Sequence, residues 1–419
     1  MFTVQKLKSG LRVLTAPIDG TESVTVLIFA GAGSRYEERK ERGISHFLEH
    51  MFFKGGKKYR NTKEVSAAID GVGGEFNAFT GKEYAGYYVK IAATETELAC
   101  DVLSDMLLHA SFPPQEIEKE RGVIMEEERM YQDTPMYRAG WDFEELIFGD
   151  HPLGWDTIGT EELIRGVTQA DFQKHKDEFY TPDNLVVTFA GRIDETRALA
   201  LSEQYFSVIK GKNTRRFPPF EGFAKEKVFL RTKSTEQAHL VLGVPGVHSL
   251  HADHFVQKVL SVILGGNMSS RMFLNIREAQ GLCYYIATDV DNYLDAGALS
   301  TRAGVDQSRL HEAVRRIREE YLLCARDSVT DEEVDRAKAF LKGKITLSLE
   351  DSEERAHFYG KQELLYPKTR DTDEYFMEID KVSVEQVHAL AKRLLLPEEM
   401  RLVVIGKEER KDALEQLMT

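Results

Sequence analysis

The segment Gly43-Ile-Ser-His-Phe-Leu-Glu-His-Met-Phe-Phe-Lys-Gly-Gly56 holds the residues that decide the fold of this chain. Its apolar side chains recur at the i, i+3, i+4, i+7 spacing of one helical face, at Ile44, Phe47, Leu48 and Met51. The glycine pair at the end of the segment marks a stop, because glycine is common just beyond a helix C-terminus. The sequence therefore predicts a short helix with one buried face.

The polar residues of this segment form a second face. At ~100° per residue, His46, Glu49 and His50 fall opposite the apolar stripe. Histidines at i and i+4 lie one turn apart, so both imidazoles can reach one cation. The H-x-x-E-H order is the inverse of the zincin motif, in which the glutamate is the general base. The pattern predicts a metal site with Glu49 as the base. The alternative is a solvated face that carries two histidines by chance.

A catalytic zinc site usually has three protein ligands and one position open for water, so a third ligand is needed. The acidic segment Pro113–Met130 is predicted to be a helix that begins at its prolines. Glu120 and Glu127 are seven residues apart, which places both beside the apolar stripe of this helix. A carboxylate placed there is partly buried, and a cation can neutralise it. The pattern alone does not choose among Glu126, Glu127 and Glu128.

The chain looks duplicated, because landmarks of the first half recur 210 to 215 residues later. The recurring landmarks are Gly55-Gly56 with Gly265-Gly266, Ala85-Gly86 with Ala296-Gly297, and Pro182 with Pro397. The offset of the first pair places Val256, Val259 and Leu260 where His46, Glu49 and His50 stand. The second copy is therefore predicted to keep the fold and to lack the metal site.

The repeat suggests two homologous domains, a metal-binding domain over residues 1–209 and a second domain without metal ligands over residues 225–419. Residues 210–224 between them are rich in Lys, Arg, Gly and Pro, which is typical of a linker. Each half mixes short strands, such as Val24–Phe29 and Gly86–Ile91, with amphipathic helices such as Asp331–Leu349. We expect an α+β fold in which each domain is a mostly antiparallel sheet covered by helices.

The composition excludes some function classes. The net charge of −14 does not favour a nucleic-acid binder, which needs a positive surface for phosphates. Three cysteines, Cys100, Cys283 and Cys324, are typical of a reducing compartment. The N-terminus shows no signal-peptide core and no apolar stretch reaches the length of a membrane span, so a cytoplasmic protein without membrane contact is expected.

Four segments together resemble a known family, the pitrilysin and insulin-degrading enzyme group, and within it the short mitochondrial processing peptidase type. The matching segments are His46-Phe-Leu-Glu-His-Met-Phe-Phe-Lys-Gly55, Asn77-Ala-Phe-Thr80 followed by Tyr87-Tyr88, Glu120-Arg-Gly-Val-Ile-Met-Glu-Glu127, and Arg277-Glu-Ala-Gln-Gly-Leu-Cys-Tyr284. The resemblance covers nearly the whole chain and implies two homologous α+β domains.

The resemblance also implies the site. It makes Glu127 the third ligand of one Zn²⁺ per chain, beside His46 and His50, and makes Glu120 a catalytic-site acid that supports the ligands. It assigns Arg277 and Tyr284 to the oxyanion or the substrate carbonyl.

The run Asn77, Ala78 and Phe79 resembles the edge strand that receives substrate by β-addition in this family. The expected function is that of a zinc metalloendopeptidase acting on extended or unfolded peptides, with zinc-bound water activated by Glu49. A homodimer is expected, in which the second domain of one chain completes the site of its partner. Pairing with a paralogue is the alternative, and manganese or cobalt fits the same ligands.

Two other functions compete with this interpretation. Some relatives are non-catalytic or substrate-holding subunits of processing peptidase-like complexes, but such subunits lose the metal residues that this chain retains. A peptide-binding or chaperone-like protein with a structural zinc needs a fourth protein ligand, and the motif supplies none.

Overall fold

The computed structural model describes residues 2–418. The strands are β1 (Thr3–Lys6), β2 (Arg12–Pro17), β3 (Ser23–Ala30), β4 (Glu75–Thr80), β5 (Ala85–Ala92), β6 (Leu185–Gly191), β7 (Val228–Thr232), β8 (Gln237–Pro245), β9 (Cys283–Asn292), β10 (Gly297–Asp306) and β11 (Arg401–Gly406). The α-helices are α1 (Ile44–Phe52), α2 (Thr62–Asp70), α3 (Thr96–Leu108), α4 (Pro114–Asp133), α5 (Pro135–Phe148), α6 (Glu161–Gly166), α7 (Gln169–Phe179), α8 (Glu195–Phe206), α9 (His254–Gly265), α10 (Leu310–Asp327), α11 (Asp331–Ser348), α12 (Ser352–Leu365), α13 (Thr372–Asp380), α14 (Val384–Leu394) and α15 (Lys411–Met418).

The first sheet has six strands in the order β1-β2-β6-β3-β5-β4. Only β2 and β6 pair in parallel, and the other neighbours are antiparallel. Strand β3 lies in the interior of the sheet, with α3 and α12 packed against it. That position explains why nearly every residue of β3 is buried, instead of every second one. Strand β4 forms an edge of this sheet.

The second sheet repeats this order without a counterpart of β1, as β7-β11-β8-β10-β9. It also contains one parallel pair, β7 with β11. Strand β9 forms one edge of this sheet, as β4 does in the first sheet. The α+β class, with two mostly antiparallel sheets covered by helices, is therefore confirmed. The shared strand order of the two sheets agrees with the duplication that the sequence predicts.

The two compact units of the chain are discontinuous. Unit 1 comprises the chain up to Glu128, Asp156–Pro218 and Ile345–Thr372, and unit 2 comprises Arg129–Trp155, Pro219–Lys344 and the chain from Asp373 onward. Each sheet thus takes one helix from the other half of the sequence. This division differs from the sequence repeat over residues 1–209 and 225–419, whose boundaries stay a prediction.

Packing explains the exchange of helices. In unit 1, Ala356 and Tyr359 of α12 join a buried cluster with Leu27 and Phe29 of the first sheet. Gly360 allows this contact, because a Cβ there would lie 2.5 Å from the Phe29 ring. In unit 2, α5 packs in the same way against β8 and β11. A sheet that is apolar on both faces needs a helix layer on each, and a contiguous half does not supply both layers.

The local predictions agree with these elements. Strands β3 and β5 contain the predicted strands, and α11 ends one residue before the predicted Leu349. Residues 210–224 form neither helix nor strand. Among residues 2–418, no helix combines the length and the apolar character that crossing a membrane requires.

Candidate metal centre

Helix α1 presents the two faces that the sequence predicts. Phe47, Leu48 and Met51 are fully buried, and α1 packs against α7 and the edge strand β4. The opposite face carries His46, which is buried, and Glu49 and His50, which are partly exposed. The burial of one side of this short helix therefore fixes the direction in which its polar side chains point.

Helix α4 brings Glu127 to the two histidines. Oε2 of Glu127 lies 3.7 Å from Nε2 of His46 and 3.5 Å from Nε2 of His50. The ligand atoms of these three residues all lie within 4.8 Å of one another. Two ligands bound to zinc at ~2.1 Å in a tetrahedral site lie ~3.4 Å apart, so these side chains fit a zinc ion. No other such group of His, Cys, Asp or Glu occurs among residues 2–418.

Exposure separates Glu127 from the glutamate before it, whereas Glu128 is also partly exposed. Glu126 is exposed, whereas Glu127 is half-buried beside the imidazoles. Burial raises the pKa of the Glu127 carboxyl, His50 lowers it and Glu120 raises it further. A cation at this position offsets the repulsion between the two carboxylates.

His46 is prepared to bind as a neutral ligand. Burial, with a smaller effect from His50, lowers the pKa of His46 to about 3. The imidazole is therefore uncharged at neutral pH, and the neutral ring is the form that donates a lone pair to a metal.

His50 is oriented by a carboxylate outside the ligand set. Nδ1 of His50 and Oε1 of Glu120 are 2.9 Å apart, which leaves Nε2 free to face Glu127. The buried Glu120 also forms a 2.6 Å ion pair with Lys54. Burial raises the pKa of Glu120, but the hydrogen bonds with His50 and Lys54 outweigh it, and the net shift is downward. Glu120 therefore stays ionised as the partner of His50, in the arrangement common for metal-bound histidines.

Glu49 is held by the edge strand. The hydroxyl of Thr80 donates a 2.5 Å hydrogen bond to Oε2 of Glu49. Burial raises the pKa of Glu49, and the bond from Thr80 opposes this shift. With one oxygen engaged by Thr80, the other is the one available to accept a proton.

The predicted substrate strand Asn77, Ala78 and Phe79 lies on β4. Asn77 is exposed, and its side-chain oxygen accepts the backbone N–H of Ala78 at 2.9 Å. Phe79 instead packs inward, 4.7 Å from the ring of His357. β4 therefore has an unpaired edge beside the metal centre, with Asn77 at that edge and Phe79 anchored.

Arg277 and Tyr284 belong to unit 2, outside the group that unit 1 assembles. The guanidinium of Arg277 lies 4.6 Å from the centre of the Phe273 ring, in the π-helical segment Phe273–Glu278. Tyr284, near the start of β9, is 66% exposed, so it does not belong to the core of unit 2. Their chemical roles stay predictions.

Two residues of the site were not predicted from the sequence as functional. Lys54 follows His50 by four residues, so helical spacing could have placed it near the same face. Thr80 ends the quoted Asn77-to-Thr80 run, but only the tertiary fold brings its hydroxyl to Glu49.

Two family profiles match the chain. The profile described as insulinase (peptidase family M16) matches residues 12–160, and the profile described as peptidase M16 inactive domain matches residues 166–341. All ligand candidates lie within the first match. The second match begins within the predicted metal-binding domain and extends over residues 225–341 of the domain in which the sequence predicts no metal ligands.

Relatives of similar length carry protease names. An uncharacterized zinc protease of Bacillus subtilis (strain 168) is 36% identical over 388 residues, which are 92% of this chain and 94% of the relative. An uncharacterized zinc protease of Mycobacterium leprae (strain TN) is 37% identical over 397 residues, which are 93% of this chain and 88% of the relative. The crystal structure of a protease from Helicobacter pylori has a TM-score of 0.88 at 21% identity, with 97% of this chain and 99% of that chain covered. This structural likeness shows a shared two-domain fold.

Proposed function

Because the chain belongs to the insulinase family, peptidase family M16, we propose that it is a zinc metalloendopeptidase that hydrolyses extended or unfolded peptides. One observation carries the proposal. His46, His50 and Glu127 converge within 4.8 Å, and a fourth side chain, Glu49, lies on the same helical face without being needed as a ligand. Three ligands beside a carboxylate that is not itself a ligand are the arrangement of a hydrolytic zinc site rather than a structural one.

The chemistry divides between metal and protein. A zinc ion held by these ligands would supply Lewis acidity, which polarises a carbonyl and lowers the pKa of bound water toward neutrality. Glu49 accepts the proton of the water whose oxygen attacks the carbonyl carbon of the peptide. It then gives this proton to the amine nitrogen as the C–N bond breaks, so the carboxylate is regenerated. Thr80 keeps Glu49 pointing in one direction through both transfers.

The edge strand supplies the proposed substrate site. An extended peptide beside β4 pairs through its main chain, which tolerates many side-chain sequences. The side-chain oxygen of Asn77 gives up its hydrogen bond from the backbone N–H of Ala78 and binds the incoming peptide instead. Main-chain pairing requires an accessible extended segment, so extended or unfolded peptides are the expected substrates.

A homodimer is proposed to complete the site, with Arg277 and Tyr284 of one chain stabilising the oxyanion formed in its partner. A guanidinium and a phenol are suitable donors for that charge. Mixing an Arg277→Ala chain with a Glu49→Gln chain tests this arrangement. Recovery of activity from two inactive parents supports it, and no recovery in a mixture shown to contain heterodimers contradicts it.

The main test is cleavage of a fluorogenic peptide with and without a zinc chelator, beside the Glu49→Gln variant. We expect the chelator to abolish cleavage and added zinc to restore it. Glu49→Gln should lose about 10²- to 10⁴-fold in kcat while still binding zinc. Glu126→Gln, an exposed neighbour of Glu127, is the matched control and should keep its activity. Cleavage that survives both the chelator and Glu49→Gln contradicts the proposal.

A further inference from the structure

Helix α1 has no N-terminal cap of its own. Gly43 occupies the N-cap position with φ 97°, in the left-handed region that favours glycine, and it offers no capping side chain. A Cβ at this position would also lie 2.1 Å from the carbonyl oxygen of Ile158. A serine, aspartate or asparagine therefore cannot replace Gly43, and the free N–H groups of α1 must find acceptors elsewhere.

Glu37 supplies these acceptors from outside the helix. Its Oε2 accepts the N–H of Gly43 at 2.7 Å, and its Oε1 accepts the N–H of Ser45 at 2.8 Å. The residue is only 3% exposed, so water does not compete for these bonds. One carboxylate thus holds two backbone positions of the first turn of α1, directly before His46.

Glu37 is itself fixed to the sheet. It follows the 3-10 turn Ser34–Tyr36, whose N–H groups at Ser34 and Arg35 donate to the carbonyls of Gly81 and Lys82, at 3.3 and 2.9 Å. These two carbonyls belong to the connection between β4 and β5. Glu37 therefore connects the start of α1 to the β4–β5 connection, which directly follows Thr80.

The two histidines differ in how they are oriented. His50 has Glu120 on its Nδ1, whereas no atom within residues 2–418 forms a hydrogen bond with Nδ1 of His46. A ligand without such a partner depends on its backbone for direction. The backbone next to His46 is that of Ser45, whose N–H is held by Glu37 and whose hydroxyl lies 3.2 Å from Nε2 of the buried His175.

We propose that Glu37 is a positioning residue of the metal centre, which fixes the first turn of α1 so that His46 presents Nε2 to the ion. The inference rests on the proposed function, because it requires that His46, His50 and Glu127 bind a metal. It adds a residue whose side chain accepts hydrogen bonds from the backbone of Gly43 and Ser45 rather than from the ligand side chains.

Replacement of Glu37 by glutamine tests the proposal. Glutamine keeps the shape and one acceptor oxygen, but its NH₂ group faces the second backbone N–H. We expect the zinc affinity of Glu37→Gln, measured by competition with a chromophoric chelator, to fall about 10- to 100-fold. Glu38→Gln, the exposed neighbour, is the matched control and should stay within about twofold of wild type. Cobalt-loaded Glu37→Gln should show shifted visible absorption bands, which a loss of stability alone does not produce.

Amide hydrogen exchange keeps the proposal testable if Glu37→Gln does not fold. In zinc-free wild-type protein, the amide of Ser45 should already be protected, because Glu37 holds it before any metal binds. Fast exchange of this amide that slows only when zinc is added overturns the proposal. Equal zinc affinities and cobalt spectra of Glu37→Gln and wild type also overturn it. Wild-type protein that binds no zinc overturns the proposed function as well.

Discussion

Helices α1 and α9 hold equivalent places in the two units and share an apolar face, but they differ in the side chains outside that face. Each packs against the edge strand of its sheet, β4 for α1 and β9 for α9, and each leads into a Gly-Gly pair. The 210-residue offset of the Gly-Gly pairs predicts that the sites of His46, Glu49 and His50 in α1 correspond to those of Val256, Val259 and Leu260 in α9. These three apolar residues are buried in the core of unit 2.

This difference separates what the fold needs from what the chemistry needs. The fold requires a helix with an apolar face against the sheet, and both copies provide it. The polar face of α1 can form a metal site only because α4 places Glu127 and Glu120 beside it. Without those carboxylates, partly buried histidines cost stability, and apolar residues at the same sites stabilise the unit instead.

The largest expected effect comes from giving α1 the residues of α9. The triple replacement His46→Val, Glu49→Val and His50→Leu removes two ligands and the base. Zinc bound per chain, measured on purified protein by elemental analysis, should fall from about one to none. The fold should survive, because the second copy shows that this helix position accepts apolar residues. A variant that still holds one zinc per chain contradicts the ligand assignment.

The second prediction concerns the stability of unit 2, to which the apolar residues of α9 contribute. Leu260 of α9 is fully buried. Leu260→Ala should lower the free energy of unfolding of unit 2 by ~2–5 kcal/mol, because it leaves a cavity in the core. Denaturant unfolding measures this change, and zinc content should not change. Leu250→Ala, at a half-exposed site, serves as the control and should stay within ~0.5 kcal/mol.

The support of His50 gives a smaller effect. Glu120→Gln weakens the hold on Nδ1 of His50 and leaves Lys54 without its ion pair. The zinc affinity should fall about 10- to 100-fold, as measured by chelator competition. Glu118→Gln, at an exposed site two residues earlier on α4, should leave the affinity unchanged. If both variants bind zinc equally, Glu120 has no role in orienting the ligand.

The smallest effect is expected at Thr80. Thr80→Val keeps the shape of the side chain and removes the hydrogen bond to Glu49. We expect kcat to fall about tenfold with KM and zinc affinity unchanged, because losing a hydrogen bond to a charged group costs ~1.5 kcal/mol at the lower end of its usual range. Thr80→Ser restores the hydroxyl and should recover most of the rate. A change in KM alone would place Thr80 in substrate binding instead.

The parts of the fold and site that follow local periodicity could be predicted from the sequence. The two faces of α1 and the strands β3 and β5 depend on spacings of a few residues, which any reader of the sequence can measure. The choice of Glu127 over its neighbours could not be made in this way, because three consecutive glutamates share composition and local structure. It required the family resemblance, and the structure places Glu127 next to both histidines.

The sequence by itself determined the amphipathic helix, the pair of histidines one turn apart, the duplication and the family. The family resemblance named Glu127 as the third ligand. Only the tertiary structure decided which further distant groups contact the site: Thr80 on the base and Glu37 on the first turn of α1. The physical reason is range. Helical spacing is set by backbone geometry within a few residues, whereas contacts between separate elements depend on how sheets and helices pack, and no short spacing in the sequence encodes that packing.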